Sequence, residues 1–270
     1  MYKNEMIDKV VIITGGGGAI GGAIAEKFVE QGARIVLLGR TLKTLEEKAN
    51  EIQADDSKIL CLSADVLVEE DLKQAKEQIL QKFGTIDVLI NAAGGNMKGA
   101  TIAPDETVFD LQMDDFKKVN DLNLMGTVLP SMIFGEVMAE KKEGSILNIS
   151  SMAADRVITR VIGYSASKAG MENFTKSLSV EMALKFGEGI RVNALAPGFF
   201  IGEQNRDLLT NKDGSYTERG NTIIEKTPMK RFGKVEEVAG AALFLSSDQA
   251  KFITGVVLPV DGGFSAFSGV

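Results

Sequence analysis

The chain has 270 residues, 44% of them hydrophobic and 25% charged, with a net charge of −7; this fits one α/β domain with a full core and argues against nucleic acid or an anionic membrane as partner. It contains no histidine and a single cysteine, Cys61, which excludes His-based triads, His metal sites and an intrachain disulfide, leaves no metal site to expect, and fits a reducing, cytoplasmic setting. The N-terminal stretch MYKNEMIDK is too polar for a signal peptide, and no apolar run is expected to span a bilayer.

In chain order, a strand is predicted over 10–14, a helix over 20–31, a strand over 34–38, a helix over 42–52, a strand over 58–62, a helix over 69–83 and a strand over 86–90. A long helical region over 114–141 follows, then a strand over 145–149, a helix over 164–185, a strand over 191–194, a helix over 235–245 and a last strand over 256–260. Strands that are apolar throughout suit a parallel sheet covered on both faces. The alternation predicts a single-domain, doubly wound Rossmann-type α/β fold with a seven-stranded parallel sheet and helices on both faces. Cys61, in the apolar run Ile59 to Leu62, reads as a buried strand residue. No linker divides 1–270: residues 1–110 are assigned mainly to cofactor binding and 111–270 to catalysis. Two irregular segments, 94–111 and 199–227, lie beside strand ends and read as cover for a ligand site, the second as a substrate loop.

The first strand runs into Thr14-Gly15-Gly16-Gly17-Gly18-Ala19-Ile20-Gly21, and a helix follows. Glycines let the backbone turn tightly against a pyrophosphate, and a helix start offers free N–H groups and a partial positive charge. That context, more than the glycine spacing, points to dinucleotide binding by Gly15, Gly16, Gly17, Gly18, Ala19, Ile20 and Gly21. The acid that holds the ribose hydroxyls of NAD in such sites is replaced by Gly39, and Arg40 follows. A carboxylate there repels a 2′-phosphate and a guanidinium grips one, so Arg40 favours NADP.

With the motifs further along, the chain resembles the short-chain dehydrogenase/reductase family over nearly its whole length. Thr14, Gly15 and Gly21 match the family's TGxxxGxG motif, with Ala19 in place of its middle glycine. Asp65, followed by Val66, matches the acid at the adenine ring; Asn91-Ala92-Ala93-Gly94 matches the NAAG turn beside the cofactor; Pro197-Gly198 matches the turn that borders the nicotinamide. Gly202 stands where the family often has a threonine for the carboxamide, leaving backbone groups or Gln204 for that bond. Asn123, Ser151, Tyr164 and Lys168 match the catalytic tetrad, and Tyr164 and Lys168 share a helix face.

The resemblance implies hydride transfer between NADP or NAD and a carbonyl carbon, with Tyr164 as acid/base and Ser151 holding the substrate oxygen. It also implies that Asn123 anchors a water leading from Lys168 to solvent. A phenol with a pKa of about 10 is a poor base at neutral pH. A positive charge about 4 Å away is worth roughly 4 kcal/mol at an effective dielectric near 20, or about three pKa units. Lys168 is therefore expected to draw the Tyr164 phenol towards neutrality.

The segment from Phe199 to Asn211 is more polar than a steroid or acyl-chain reductase needs. Gln204, Asn205 and Arg206 suit a polyhydroxylated carboxylate, and Arg156 and Arg160 add positive charge nearby. Arg206 ranks first as the carboxylate ligand and Arg160 second. The stretches AGGN at 93–96, DLNLMGTVLP at 121–130, APGFFIGEQNR at 196–206, TPMKRFG at 227–233 and the terminal PVDGGFSAFSGV are similar to one subgroup, the D-mannonate oxidoreductases (fructuronate reductases). That similarity implies interconversion of D-fructuronate and D-mannonate, a reaction usually written with NAD, so NAD and NADP both stay open. The alternative is gluconate 5-dehydrogenase or another polyol or keto-acid reductase of the family; a remote one is a non-catalytic NADP-sensing regulator. The family usually forms homotetramers by pairing two long helices, here 113–138 and 164–185, and by packing its C-terminal strands. Met125, Met132 and Met138 read as core more than interface, and the apolar tail 262–270 is expected near a subunit contact.

Overall fold

Alternate residues of the first strand feed two separate cores, which makes the chain a layered structure. The computed structural model describes residues 6–53, 55, 57–202 and 206–269. The strands are β1 (Val10–Thr14), β2 (Arg34–Gly39), β3 (Ile59–Ser63), β4 (Val88–Asn91), β5 (Gly144–Ile149), β6 (Ile190–Pro197) and β7 (Val257–Val260). The helices are α1 (Ala19–Glu30), α2 (Leu42–Ile52), α3 (Glu69–Phe83), α4 (Met113–Asn120), α5 (Gly126–Lys141), α6 (Ile162–Phe186), α7 (Arg206–Leu209), α8 (Glu218–Lys226) and α9 (Val235–Ser246).

All seven strands form one parallel sheet in the order β3-β2-β1-β4-β5-β6-β7. Val11 and Ile13 pack with Phe28 of α1, Leu45 of α2 and Val238 of α9 on one face. Val10 and Ile12 pack with Ile79 of α3, Phe134 of α5 and Met182 of α6 on the other. Phe134 is fully buried, and its truncation to alanine would cost roughly 3–5 kcal/mol. The winding reverses between β1 and β4, opening a crevice beyond their carboxyl ends, where such sheets bind ligands.

Four sequence expectations change. The helix predicted over 114–141 is interrupted by a π-helical turn, Asp121–Met125, because an inserted residue does not disturb an apolar pattern enough to be read. The stretch Met113–Lys141 is, by length and composition, apolar enough to cross a bilayer, but half of that window is buried. Phe134 and Met138 from it sit in the core against the sheet. Cys61 is only partly buried, because β3 is an edge strand with a single neighbour. The segment 199–227 is not irregular throughout: it contains α7 and α8, which pack on a small satellite core around Leu209, Ile223 and Phe232.

Candidate active site

The crevice is built from the ends of β1, β4, β5 and β6. Thr14 closes β1, and its Oγ1 accepts the backbone N–H groups of Ala92 and Ala93, each at 3.1 Å. This ties the turn after β4 to the glycine loop. Gly15 takes φ +65°, and a Cβ there would stand 2.9 Å from the Ala92 carbonyl oxygen. A Cβ on Gly21 would stand 2.5 Å from the Gly15 carbonyl oxygen. Both glycines are therefore required by close backbone approach.

The start of α1 is open to an anion. Gly18 at its N-terminus provides no side-chain cap, and the first turn carries no acid, so the free N–H groups and the helix dipole face the loop. Gly18 and Ala19 are exposed. Arg40, at the end of β2, is exposed. Its carbonyl accepts from Ser63 Oγ at 3.0 Å, and its guanidinium makes no ion pair or hydrogen bond among the described residues. Asp65 is partly buried and its Oδ1 accepts from the Leu67 N–H at 2.9 Å, while Val66 packs against Gly126. These features fit the phosphates and adenosine of a dinucleotide.

Asn91 opens the turn read from the sequence as lying beside the cofactor. Its side chain is fully buried and donates to Ser131 Oγ and Asn148 Oδ1, both at 2.9 Å. Asn148 in turn donates to Thr175 Oγ1 at 2.8 Å. This polar ladder links β4 and β5 to α5 and α6, so Asn91 aligns the strand ends by acting inside the core. Pro197 ends β6; the N–H of Gly198 donates to the Val260 carbonyl at 2.9 Å, and a Cβ at 198 would meet Asp261 at 2.7 Å.

Of the four tetrad candidates, Asn123 and Lys168 border Gly94, and Lys168 and Ser151 each lie beside Tyr164. A Cβ at Gly94 would lie 2.7 Å from Asn123 Oδ1 and 3.3 Å from Lys168 Nζ. Asn123, fully buried in the π-helical turn, donates to the Gly95 and Val119 carbonyls at 2.7 and 2.8 Å and accepts the Gly95 N–H at 3.1 Å. Its side-chain amide is thus fully engaged in holding the loop after β4. Ser151 follows β5, and its hydroxyl hydrogen-bonds the Tyr164 oxygen. Lys168 is buried, donates to the Ile149 carbonyl at 2.7 Å, and stands 5.6 Å from the centre of the Tyr164 ring.

Electrostatics here differ from the sequence expectation. Burial pushes the Tyr164 phenol up, only partly offset by the Ser151 hydrogen bond. Burial also holds the Lys168 ammonium down to about 7, opposed by the Glu172 carboxylate. Desolvation outweighs the mutual charge effect because both groups are withdrawn from water and Nζ is spent on a backbone carbonyl. Glu172, which the sequence reading passed over, lies one turn beyond Lys168 and accepts from Ser150 Oγ at 2.8 Å; the Lys168 to Glu172 spacing was its only signal.

The candidate substrate residues are scattered. Gln204 and Asn205 lie outside the described residues. Arg156 is exposed and pairs with its neighbour Asp155 at 3.5 Å. Arg206 is exposed at the start of α7 and borders a groove of about 640 Å³ with Asp207, Lys212 and Tyr216, whose lining includes neither Ser151 nor Tyr164. Arg160 is partly buried, with φ +79°; its Nε donates to the Ile102 carbonyl at 2.5 Å and its own carbonyl accepts the Ile102 N–H at 3.0 Å. Arg219 of α8, which the sequence reading passed over because a lone arginine on a predicted loop carries no pattern, is partly buried, and burial first and the like charge of Arg160 second hold its guanidinium below the ordinary arginine value.

This geometry has counterparts. The family described as enoyl-(acyl carrier protein) reductase matches residues 17–265. The uncharacterized oxidoreductase UxuB of Bacillus subtilis is 42% identical, over 100% of this chain and 99% of that protein. Glucose 1-dehydrogenase 2 of the same organism is 36% identical, over 99% and 98%. A crystal structure from Haemophilus influenza, provisionally named a D-mannonate oxidoreductase and holding NAD, superposes with a TM-score of 0.90 at 41% identity, covering 98% of this chain and 97% of that one.

Proposed function

The chain belongs to the short-chain dehydrogenase/reductase family and is an NAD(P)-dependent oxidoreductase, and we propose that its reaction is the interconversion of D-fructuronate and D-mannonate. The observation that carries this reading is the convergence of Ser151, Tyr164 and Lys168 beyond the end of β5, with Arg160 in the loop that leads into α6. The Haemophilus relative's provisional name supports the substrate.

The dinucleotide supplies or accepts the hydride at the carbonyl carbon. Gly15 to Gly21 and the open start of α1 would hold its pyrophosphate, Asp65 its adenine, and Gly94 with Pro197-Gly198 would line the nicotinamide end. Ser151 donates a hydrogen bond to the substrate carbonyl oxygen and keeps it against the Tyr164 phenol. In reduction, Tyr164 gives its proton to that oxygen as negative charge develops there; in oxidation it takes the proton back. The phenol's raised pKa keeps it protonated and ready as an acid. Its conjugate base needs a cation beside it, and Lys168, poised near neutrality, becomes charged by taking up a proton as the phenolate forms. Asn123 acts by fixing the Gly94–Gly95 loop over Lys168. Its backbone carbonyl, which accepts from Thr127 Oγ1 at 3.1 Å, is the anchor proposed for a relay water.

Arg40 favours the 2′-phosphate of NADP, whereas the relative from Haemophilus holds NAD; use of both cofactors is proposed. Residues 1–110 serve mainly the cofactor, 111–270 carry the chemistry, and 199–227 form the substrate cover of a cytoplasmic homotetramer. The reading is tested by following cofactor oxidation over a panel of hexuronates, ketogluconates and neutral ketoses. It requires D-fructuronate to give the highest kcat/KM. A preference for 5-ketogluconate would instead establish the gluconate 5-dehydrogenase alternative, which the 36% identity to a glucose dehydrogenase keeps close. No turnover of any carbonyl, with cofactor still bound, would leave the sensing regulator.

A further inference from the structure

Where β5 ends, three consecutive residues are each bonded to α6. The Asn148 amide donates to Thr175 Oγ1 at 2.8 Å, the Ile149 carbonyl accepts from Lys168 Nζ at 2.7 Å, and the Ser150 hydroxyl donates to a Glu172 carboxylate oxygen at 2.8 Å. The next residue is Ser151, the partner of Tyr164. Asn148, Ser150, Lys168 and Thr175 are all buried, so water cannot replace these bonds without a penalty. The bond from Ser150 brings a carboxylate to the site, and the reaction described above gives that carboxylate no part.

Ser150 is also held from the sheet, its N–H donating to the Leu195 carbonyl of β6 at 2.7 Å. Its side chain therefore fixes the point where the chain leaves the sheet, between the carbonyl that holds Lys168 and the hydroxyl that faces the substrate. Tyr164, Lys168 and Glu172 recur every four residues along α6. That spacing sets their side chains in one stripe, with neighbouring Cβ atoms about 5–6 Å apart. Glu172 is half-buried. The charges that act on it are Lys168 and Lys176 of the same helix and Asp155 in the loop after β5. A glutamine would accept the same bond from Ser150 without a half-buried charge; what the carboxylate adds is a negative potential at Lys168.

We propose that Glu172 is a positioning residue of the hydride-transfer reaction: through Ser150 it pins the end of β5 to the Tyr164–Lys168 stripe, and it is the fixed counter-charge that helps Lys168 carry a proton while the Tyr164 phenolate exists. The shifts agree with the geometry. Burial drives the Lys168 ammonium down and Glu172 opposes it; burial lifts the Glu172 carboxyl, and the Ser150 bond, Lys176 and Lys168 oppose that. The proposal rests on the reading of Tyr164 and Lys168 as the acid/base pair and holds whichever sugar acid is reduced.

The test uses the full chain with NAD or NADH present and two readouts. One is the pH profile of D-fructuronate reduction. The other is the titration of Lys168, followed by NMR through its Cε resonance in lysine-labelled protein and assigned by its loss in Lys168→Met. Glu172→Ala and Ser150→Ala are each expected to lower kcat by about tenfold or more, with cofactor affinity changed by less than about threefold, because Ser151 and the Ile149 carbonyl lose their register. Glu172→Gln should recover most of that kcat at about pH 6, where the lysine is protonated. It should still move the Lys168 titration, and with it the alkaline fall of the reduction rate, down by roughly half a unit to one unit. Coincident Lys168 titrations in wild type and Glu172→Gln overturn the proposal. So does a Glu172→Ala protein whose kcat is unchanged or falls only in step with its folded fraction. If fructuronate is not reduced but the titration moves, the role of Glu172 stands and the fructuronate assignment fails. If fructuronate is reduced and the titration does not move, the assignment stands and the role of Glu172 fails. Retained turnover in Tyr164→Phe, measured alongside, would overturn the acid/base reading and the proposal with it.

Discussion

Lys168 Nζ stands 5.6 Å from the centre of the Tyr164 ring, yet points its hydrogen bond at the Ile149 carbonyl 2.7 Å away. The two residues share a helix face, but the lysine is anchored to the end of β5 and not to the phenol. Its effect on Tyr164 is therefore electrostatic and positional. Replacing Tyr164 by phenylalanine keeps the ring beside Lys168 and removes the phenol that hydrogen-bonds Ser151. Turnover should fall by about 10²–10⁴-fold or more, with cofactor affinity by fluorescence titration nearly unchanged. Retained turnover would remove Tyr164 from the mechanism.

The depressed ammonium of Lys168 predicts a pH dependence of stability. Between about 7, its value in the fold, and 10.5, its ordinary value, the unfolded chain carries a proton that the folded chain lacks. Stability from this residue therefore rises with pH across that window, and its full cost is felt below it. Tyr164, shifted the other way, acts only above about 10. Lys168→Met should be more stable than the wild type near pH 6.5 without cofactor, and the gap in melting temperature should narrow towards about pH 9.5. A gap that does not move with pH would mean that Lys168 is charged in the folded protein.

Arg40 is exposed and its side chain is unpaired among the described residues, so it is available to a 2′-phosphate at no structural cost. Arg40→Ala should reduce kcat/KM with NADPH by roughly tenfold or more, the worth of a charge-assisted bond, and leave NADH within about twofold. An equal effect on both cofactors would dismiss the arginine as a solvated loop charge.

Gly94 has no room for a side chain between Asn123 and Lys168. Gly94→Ala must displace Asn123, Lys168 or the loop, at a cost of roughly 1–3 kcal/mol. Turnover is expected to fall further than the modest loss of melting temperature accounts for. Unchanged kcat would show that the position of Lys168 relative to this loop is immaterial.

Assembly follows from what the helices leave uncovered. Met138 is buried, while Met125 and Met132 of the same stretch are 40% and 46% exposed, and Val180 and Leu184 of α6 are 55% and 75% exposed. The methionine stripe thus divides between core and surface. The tail is held by Asp261, whose carboxylate accepts the Gly263 and Ser265 N–H groups at 2.9 and 2.8 Å, and Phe264 packs edge-on against Phe199 at 5.3 Å. Light scattering at micromolar concentration should give the mass of four chains, and Leu184→Glu with Val180→Glu should lower it. A monomeric wild type would contradict the proposed tetramer.

Sequence alone determined the sheet and the order of its elements, because these rest on local signals such as apolar runs and glycine punctuation, and the family resemblance supplied the tetrad candidates. Even strand ends such as Val10–Thr14 and helix ends such as Glu69–Phe83 were readable. What the tertiary structure alone decided were relations between residues far apart in the chain. The π-helical turn at Asn123, the burial of the Asn91 amide in the ladder to Asn148 and Thr175, and the lowered pKa of Lys168 all depend on which atoms surround a group. Desolvation and the pairing of charges are set by three-dimensional neighbours, and a sequence pattern records neither.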